Sequence, residues 1–420
     1  MKKRAIGAAV LSAVTVAALA FGTNSPTDAK AAKGANNQNA KNVILFVGDG
    51  MGTDHRDAIR LASVGANGKL AMDDMPSVGR VHTASGNSFV TDSAAAATAM
   101  ASGVKSYNGA IGVNMKGKPV QTVLEKAKLA GKTTGLVTTS QVTDATPAAF
   151  GAHVKDRSAQ SDIAKQYLEN SKVDVILGGG EDYWYPKGNE GAHSDAPPED
   201  KTEGSKGTQG NLVNKAQKLG YTYVNNENEL KYAKGTKLLG LFANEEMFQQ
   251  APEGQGDVYN PQVSLKNMTK KAINTLSQNK KGFFLVVEEE GIDEMAHNNN
   301  AELMIKAGKQ LDDTVKMAKV YAKTHPDTLV LVTADHATGG LALEKVDNDN
   351  KDNGGDEKSK VDGPFAIAHS KEQFVADWTT EEHTSSDVPL NAVGAGSERF
   401  TGVYENTYLH DALLKAMNLK

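Results

Sequence analysis

Short aliphatic runs recur along the chain, each closed on its C-terminal side by glycine or by polar residues. NVILFV (42–47), TTGLVTT (133–139), VDVILGGG (173–180), GFFLVVEEE (282–290) and TLVLVTADH (328–336) show no clean two-residue alternation. That pattern predicts strands buried on both faces. Between them lie stretches with apolar residues at helical spacing: VQTVLEKAKLAG, SDIAKQYLEN, NLVNKAQKLG and the long AELMIKAGKQLDDTVKMAKVYAKTH. Alternating strands and helices predict an α/β fold, a central mainly parallel sheet with helices on both faces. In such a sheet chemistry gathers beyond the C-terminal ends of the strands. No internal repeat is visible.

Two stretches break the alternation. Residues 186–210 (PKGNEGAHSDAPPEDKTEGSKGTQG) are polar and rich in Gly and Pro, and predict a surface insertion. Residues 345–363 are rich in Asp, Asn and Gly but lack the EF-hand spacing, so a solvated loop is expected, with a cation site as the alternative. The N-terminus is different again. Met1-Lys2-Lys3-Arg4 precedes an apolar stretch, Ala5 to Phe21, then a polar segment ending in Ala29-Lys30-Ala31. This is the order of a secretory signal peptide, cleaved near Ala31. It predicts a secreted or periplasmic protein whose residues 32–420 form one catalytic domain. Nothing downstream is long and apolar enough to span a membrane.

The 420-residue chain has no cysteine and a formal charge of −5. With the basic leader removed the remainder is more acidic still, which argues against specific nucleic-acid binding by bulk charge. No disulfide framework is available, so the core, with any bound metal, must hold the fold. Arginine is confined to Arg4, Arg56, Arg60, Arg80, Arg157 and Arg399, so an arginine near a reactive motif stands out.

The strand ends carry the candidate chemistry. NVILFV runs into Gly48-Asp49-Gly50, GFFLVV into Glu288-Glu289-Glu290-Gly291-Ile292-Asp293 with His297 beyond, and TLVLVTA into Asp335-His336. Glu382-His383-Thr384 lies in a loop-like stretch. Asp293 and His297, four apart, would share one helix face. Any one of these is read equally well as a surface charge or a cap. Together, carboxylates gathered at buried strand ends need compensating cations, and Asp with His is a zinc-type ligand set. A second group follows TTGLVTTS: Asp144, Thr146 and Arg157. Its hard oxygens suit Mg²⁺, and the guanidinium suits a phosphate. FVTDSAAAATAMASG (89–103) places Asp92 and Ser93 where a small-residue helix begins, as caps or, for Ser93, as a nucleophile.

VGDGMG, TDSAAAATAMASG, DATPAAFGAHVKDR, the E-x4-D-x3-H of EEEGIDEMAH, VTADH and the later E-H-T resemble, in order, the motifs of the alkaline phosphatases. The resemblance implies two Zn²⁺ ions and one Mg²⁺. Asp293, His297 and His383 would hold the first zinc, and Asp49, Asp335 and His336 the second. Thr146 and Glu288, with Asp49 bridging, would hold magnesium, and Asp144 would order its waters. Ser93 would be the nucleophile, Arg157 the phosphate clamp and Asp92 the residue that steadies the arginine. Small phosphate monoesters would be the substrates, and a homodimer is left open. Glu294 departs from the Lys, His or Trp usual at its position, and the 186–210 insertion departs from a minimal member. A sulfatase reading fails because Ser93 is followed by Ala95 and Ala97 with no arginine to complete that family's motif. A phosphodiesterase or pyrophosphatase of the wider superfamily, the runner-up reading, would lack the Thr146–Glu288–Asp144 group, and a non-enzymatic secreted metal-binding or surface protein is the remaining alternative.

Overall fold

The computed structural model describes residues 39–196, 201–248, 257–346 and 360–420. The signal-peptide stretch, most of the polar segment after it, residues 197–200 of the insertion and 347–359 of the Asp/Asn-rich stretch lie outside the described residues.

The strands are β1 (Asn42–Gly48), β2 (Ser77–His82), β3 (Thr133–Gln141), β4 (Val175–Gly179), β5 (Thr222–Val224), β6 (Leu238–Leu241), β7 (Phe283–Glu289), β8 (Thr328–Thr333), β9 (Ala337–Thr338), β10 (Leu341–Lys345), β11 (Lys360–Ala366), β12 (Gln373–Trp378), β13 (His383–Thr384), β14 (Val388–Gly394) and β15 (Gly402–Glu405). Ten of them make one sheet in the order β15-β2-β14-β8-β1-β7-β3-β4-β6-β5. The five strands expected from their aliphatic runs form its unbroken centre, β8-β1-β7-β3-β4. Every residue of β1, β7 and β8 is buried, as strands covered on both faces require. The strands not foreseen lie toward the edges. β2 alternates buried and exposed positions, and β14 runs antiparallel to both its neighbours. Among the described residues the other pairs in this sheet are parallel.

Helices pack on both sides of this centre. Val123–Leu129 and Ala145–Gly151 contact β3 and β7, and they pack with Ser93–Ser102 and Tyr408–Ala416. Leu265–Leu276 contacts the same two strands from the other side and packs with Ala301–Thr324, which packs in turn with Thr53–Val64. Every residue of helix Ser93–Ser102 is buried. Its alanines let the axis approach Ala145–Gly151 closely, which brings its N-terminus to the strand ends. Asp92 caps that end, and Gly103, left-handed at φ 73°, closes the other.

The described parts of 186–210 hold no helix or strand. The end of 345–363 is different from expectation: residues 360–363 belong to β11, which pairs with β12 in a three-stranded antiparallel sheet with β10.

Candidate active site

The register of the central sheet levels three strand ends. Val47 of β1 lies opposite Glu288 of β7 and Thr333 of β8, so the residues that follow each strand meet at one edge. Asp49 follows β1 directly, and Gly50 turns the chain away with φ +64°. A Cβ on Gly50 would overlap Asp293 Oδ1 and stand 2.8 Å from the Thr338 hydroxyl, so glycine is required there. Asp293 and His297 sit one turn apart on helix Gly291–His297, with Oδ2 3.1 Å from His297 Nε2. His383 is not in a loop. It belongs to β13, which pairs with β9 so that His383 faces Thr338. A two-residue strand owes its existence to its partner, so no local pattern announces it.

Two ligand groups result. Asp293, His297 and His383 form one, with Asp293 Oδ2 3.7 Å from His383 Nε2 and the two imidazole Nε2 atoms 3.1 Å apart. Asp49, Asp293 and His336 form the other, with Asp49 Oδ1 3.4 Å from His336 Nε2. Asp335 belongs with the second group through Oδ2, 3.1 Å from the same nitrogen. The His336 and His383 rings stack with centroids 3.6 Å apart. Asp293 thus stands between the groups, one oxygen toward each. Ser93 completes the set, its Oγ 3.0 Å from His336 Nε2. Ser93 is not the cap: Asp92 Oδ1 accepts from Ala95 N at 2.9 Å, leaving the Ser93 hydroxyl free to face the imidazole.

The charge balance is strained. Burial and then Asp335 and Asp293 push the Asp49 carboxyl well above its usual range. Burial would do the same to Asp293, but hydrogen bonds from His297 and His383 carry it well below. Burial raises Glu288 to about 8 even though the Thr138 hydroxyl donates to it at 2.6 Å. Asp49 Oδ1 and Asp335 Oδ2 are buried and accept no hydrogen bond. Buried orphan carboxylate oxygens beside imidazoles fit divalent cations, which satisfy them without protons.

The second predicted group assembles beside the first. Thr146 is buried in the first turn of helix Ala145–Gly151, against the Glu288 carboxyl. Asp144 faces Arg157, whose Nη2 donates to Oδ2 at 2.7 Å and whose Nε donates to Oδ1 at 3.3 Å. Arg157 Nη1 lies 3.5 Å from Asp92 Oδ2, and the Gly109 N–H donates to that oxygen at 2.7 Å. The guanidinium is held between two carboxylates, one of which caps the helix that carries Ser93. Glu294 lies near His297 and Glu290, raising both.

Sequence reasoning missed four contributors. The Thr338 hydroxyl donates to Asp293 Oδ1 and lies 3.3 Å from His336 Nδ1. A threonine in β9 carries no signal until its pairing with β13 is known. Thr138 holds Glu288, and Thr139 donates to Glu289 at 2.8 Å, both from a strand read only as apolar. His55 is buried edge-on to Trp378, and burial lowers it to about 4, so it is neutral.

The family model described as alkaline phosphatase matches residues 40–360. The chain belongs to the alkaline phosphatase family. It is 33% identical to alkaline phosphatase 4 of Bacillus subtilis, covering 99% of this chain and 97% of that one. It is 35% identical to the alkaline phosphatase of Escherichia coli, covering 91% and 87%. A solved structure of a TAB5 alkaline phosphatase mutant with Mg bound in the M3 site is similar at 28% identity and TM-score 0.72, covering 91% and 99%. The chain is accordingly a phosphatase with the α/β fold of its family, and its buried acid–imidazole groups are candidate metal ligands. No helix among the described residues is long and apolar enough to cross a membrane.

Proposed function

We propose that this alkaline phosphatase hydrolyses small phosphate monoesters through a phosphoseryl intermediate on Ser93. The observation that carries the reading is the Ser93 hydroxyl, released from capping by Asp92 and turned onto His336 beside Arg157. Two zinc ions would be held by Asp293, His297 and His383 and by Asp49, Asp335 and His336. A magnesium ion would be held by Thr146, Glu288 and Asp49, with Asp144 ordering its waters. Imidazoles with carboxylates suit zinc, and a site of oxygens alone suits magnesium. When bound, the cations lower the pKa of the serine hydroxyl and offset charge on the attacking and leaving oxygens.

The chain's own residues do the rest. Arg157 binds two non-bridging phosphate oxygens, its plane fixed by Asp144 and Asp92. The N-terminus of helix Ser93–Ser102 adds backbone N–H groups and the positive end of its dipole. Ser93 Oγ, its proton lost to solvent, bonds to phosphorus as the ester P–O bond breaks. The alcohol leaves and takes up a proton. Water then attacks the phosphoseryl group in line, the P–Oγ bond breaks, and inorganic phosphate departs as Ser93 regains its proton.

The leader read at 1–31 makes this a secreted or periplasmic enzyme, with 32–420 as a single catalytic domain that releases phosphate for uptake. Ser93→Ala is the test. Because Asp92 is the cap, the variant should melt like the wild type and keep its metals. Its monoesterase rate should fall by orders of magnitude. A rate close to wild type would overturn the assignment of Ser93.

A further inference from the structure

Glu289 is wholly buried at the end of β7, beside Glu288, and successive strand residues point to opposite faces. Glu288 meets Thr138 and Thr146, whereas Glu289 turns toward Ala301–Thr324 and the segment that precedes Leu265–Leu276. Four donors surround it. Oε1 accepts the Thr139 hydroxyl at 2.8 Å and the Gly291 N–H at 3.1 Å. Oε2 accepts the Tyr259 hydroxyl at 2.7 Å and Gln310 Nε2 at 3.3 Å. The directions are fixed by the neighbours. Thr139 Oγ1 accepts the Glu290 N–H at 3.1 Å and the Tyr259 oxygen accepts from Gln310 Nε2, so both hydroxyl protons are left for the carboxylate. A carboxylate offers about four acceptor positions. All are taken here, so Glu289 has none to spare for a cation.

What it holds is the start of the helix that carries Asp293 and His297. That helix has seven residues, too few to be stable alone, and its N-cap residue, Glu290, makes no side-chain cap. Glu289 supplies the acceptor on the Gly291 N–H instead. Tyr259 reinforces the same point. Its ring lies so close to Gly291 that a Cβ there would stand 2.6 Å from Tyr259 Cε2, and Phe248 packs beside it with ring centroids 5.8 Å apart.

The same segment reaches the other end of the helix. Asn298 is the C-cap residue, and its Nδ2 donates to Asp257 Oδ2 at 2.7 Å. Beyond Tyr259 the segment is anchored in its turn. Val263 is buried, Ser264 caps Leu265–Leu276, and Gln310 Oε1 accepts the Leu265 N–H at 3.1 Å. Residues 257–263 therefore touch helix Gly291–His297 at both ends and are fixed to the core behind it.

We propose that residues 257–263 are a strap that sets the position of helix Gly291–His297, with Tyr259 acting through Glu289 at one end and Asp257 acting through Asn298 at the other. The inference rests on the reading of Asp293, His297 and His383 as zinc ligands. Two of these come from the helix and the third from β13, so the spacing of the set depends on where the helix sits. Tyr259, Glu289 and Asp257 are positioning residues, acting on the ligands through the helix backbone. Outer groups that orient metal ligands typically change metal affinity by about 10–100-fold.

The test is the rate of zinc release from the full chain loaded with Zn²⁺ and Mg²⁺, followed with a chromophoric chelator, with metal content and thermal melting recorded for each variant. Tyr259→Phe keeps the ring on Gly291 and is expected to fold. It should release one zinc about tenfold faster than wild type and the other at the wild-type rate. Asp257→Ala should speed the same release, which His297→Ala identifies by removing a ligand of that site. Tyr221→Phe is the control. It removes a buried hydroxyl that donates to Val173 O beside β5, at the far edge of the sheet. It should lower the melting temperature and change neither release. If Tyr259→Phe and Asp257→Ala also melt lower yet release both zincs at the wild-type rate, the strap is structural only and the proposal is overturned. A wild type that takes up no zinc would overturn the ligand assignment itself, and this inference with it.

Discussion

Gly50→Ala isolates how tightly the Asp49 turn is built against Asp293. Gly50 has φ +64°, and an alanine there adopts a left-handed conformation at a cost of about 1–2 kcal/mol. Its Cβ also overlaps Asp293 Oδ1 and stands 2.8 Å from Thr338 Oγ1. Restoring an ordinary separation of about 3.5 Å moves the carboxylate by about 1 Å. That carboxylate serves both ligand groups, and the Thr338 hydroxyl and His297 hold it in place. A displacement of this size at a reacting centre costs roughly a hundredfold in rate. Gly220 provides the control: its φ is +87° and a Cβ meets nothing within 4 Å. Gly220→Ala should therefore lose a similar 1–2 kcal/mol while keeping its activity. Thermal melting and kcat/KM on a chromogenic monoester, with metal content determined for each sample, separate strain from displacement. Gly50→Ala within threefold of wild type, at full metal content, would refute the reasoning.

Three further outcomes follow from the same geometry. Removing divalent cations with a chelator should abolish activity and lower the melting temperature, because Asp49, Asp335 and Glu288 are left repelling one another; Zn²⁺ with Mg²⁺ should restore both, and full activity in a sample shown to be metal-free would contradict this. Arg157→Ala should raise the inhibition constant for inorganic phosphate yet leave measurable turnover, and complete loss of turnover with metals retained would show that its role is more than binding. Glu125→Gln should cost about 1 kcal/mol at pH 6 and less at pH 9, by denaturant unfolding. Burial opposes the charge on His153, but its 2.9 Å bond to Glu125 raises it above 6.5. The stabilisation is therefore complete below 6.5 and lost as the pH climbs through the raised value. Glutamine keeps an acceptor for the Thr122 N–H, so the helix cap survives, and a cost independent of pH would contradict the assignment.

What could be read in advance divides along physical lines. Strands buried on both faces are aliphatic throughout, so the five central strands were legible, and with them the acids that terminate β1, β7 and β8. Strands at or next to the sheet's edges, such as β5 and β2, are short and half exposed, and their patterns do not differ from those of loops. β14 announces neither its direction nor its neighbours, because reversal is decided by partners far along the chain. Asp293 and His297 could be paired from a four-residue spacing alone. His383 stood out only as a histidine in a loop-like stretch, and its place in a ligand group came through resemblance, since the β9–β13 pairing that delivers it is non-local. Thr338 was invisible for the same reason. Asp92 and Ser93 were both plausible caps by residue type, and only the side-chain directions divided the roles between them.

The central claim is that phosphate passes through Ser93 on its way to water. Hydrolysis of a phosphate monoester made chiral with oxygen isotopes, followed by determination of the configuration of the transferred phosphoryl group in an acceptor alcohol such as Tris, tests it most directly. Two in-line displacements, one by Ser93 Oγ and one by the acceptor, predict net retention at phosphorus. Net inversion would mean that the acceptor attacks the ester directly and that no phosphoseryl intermediate forms.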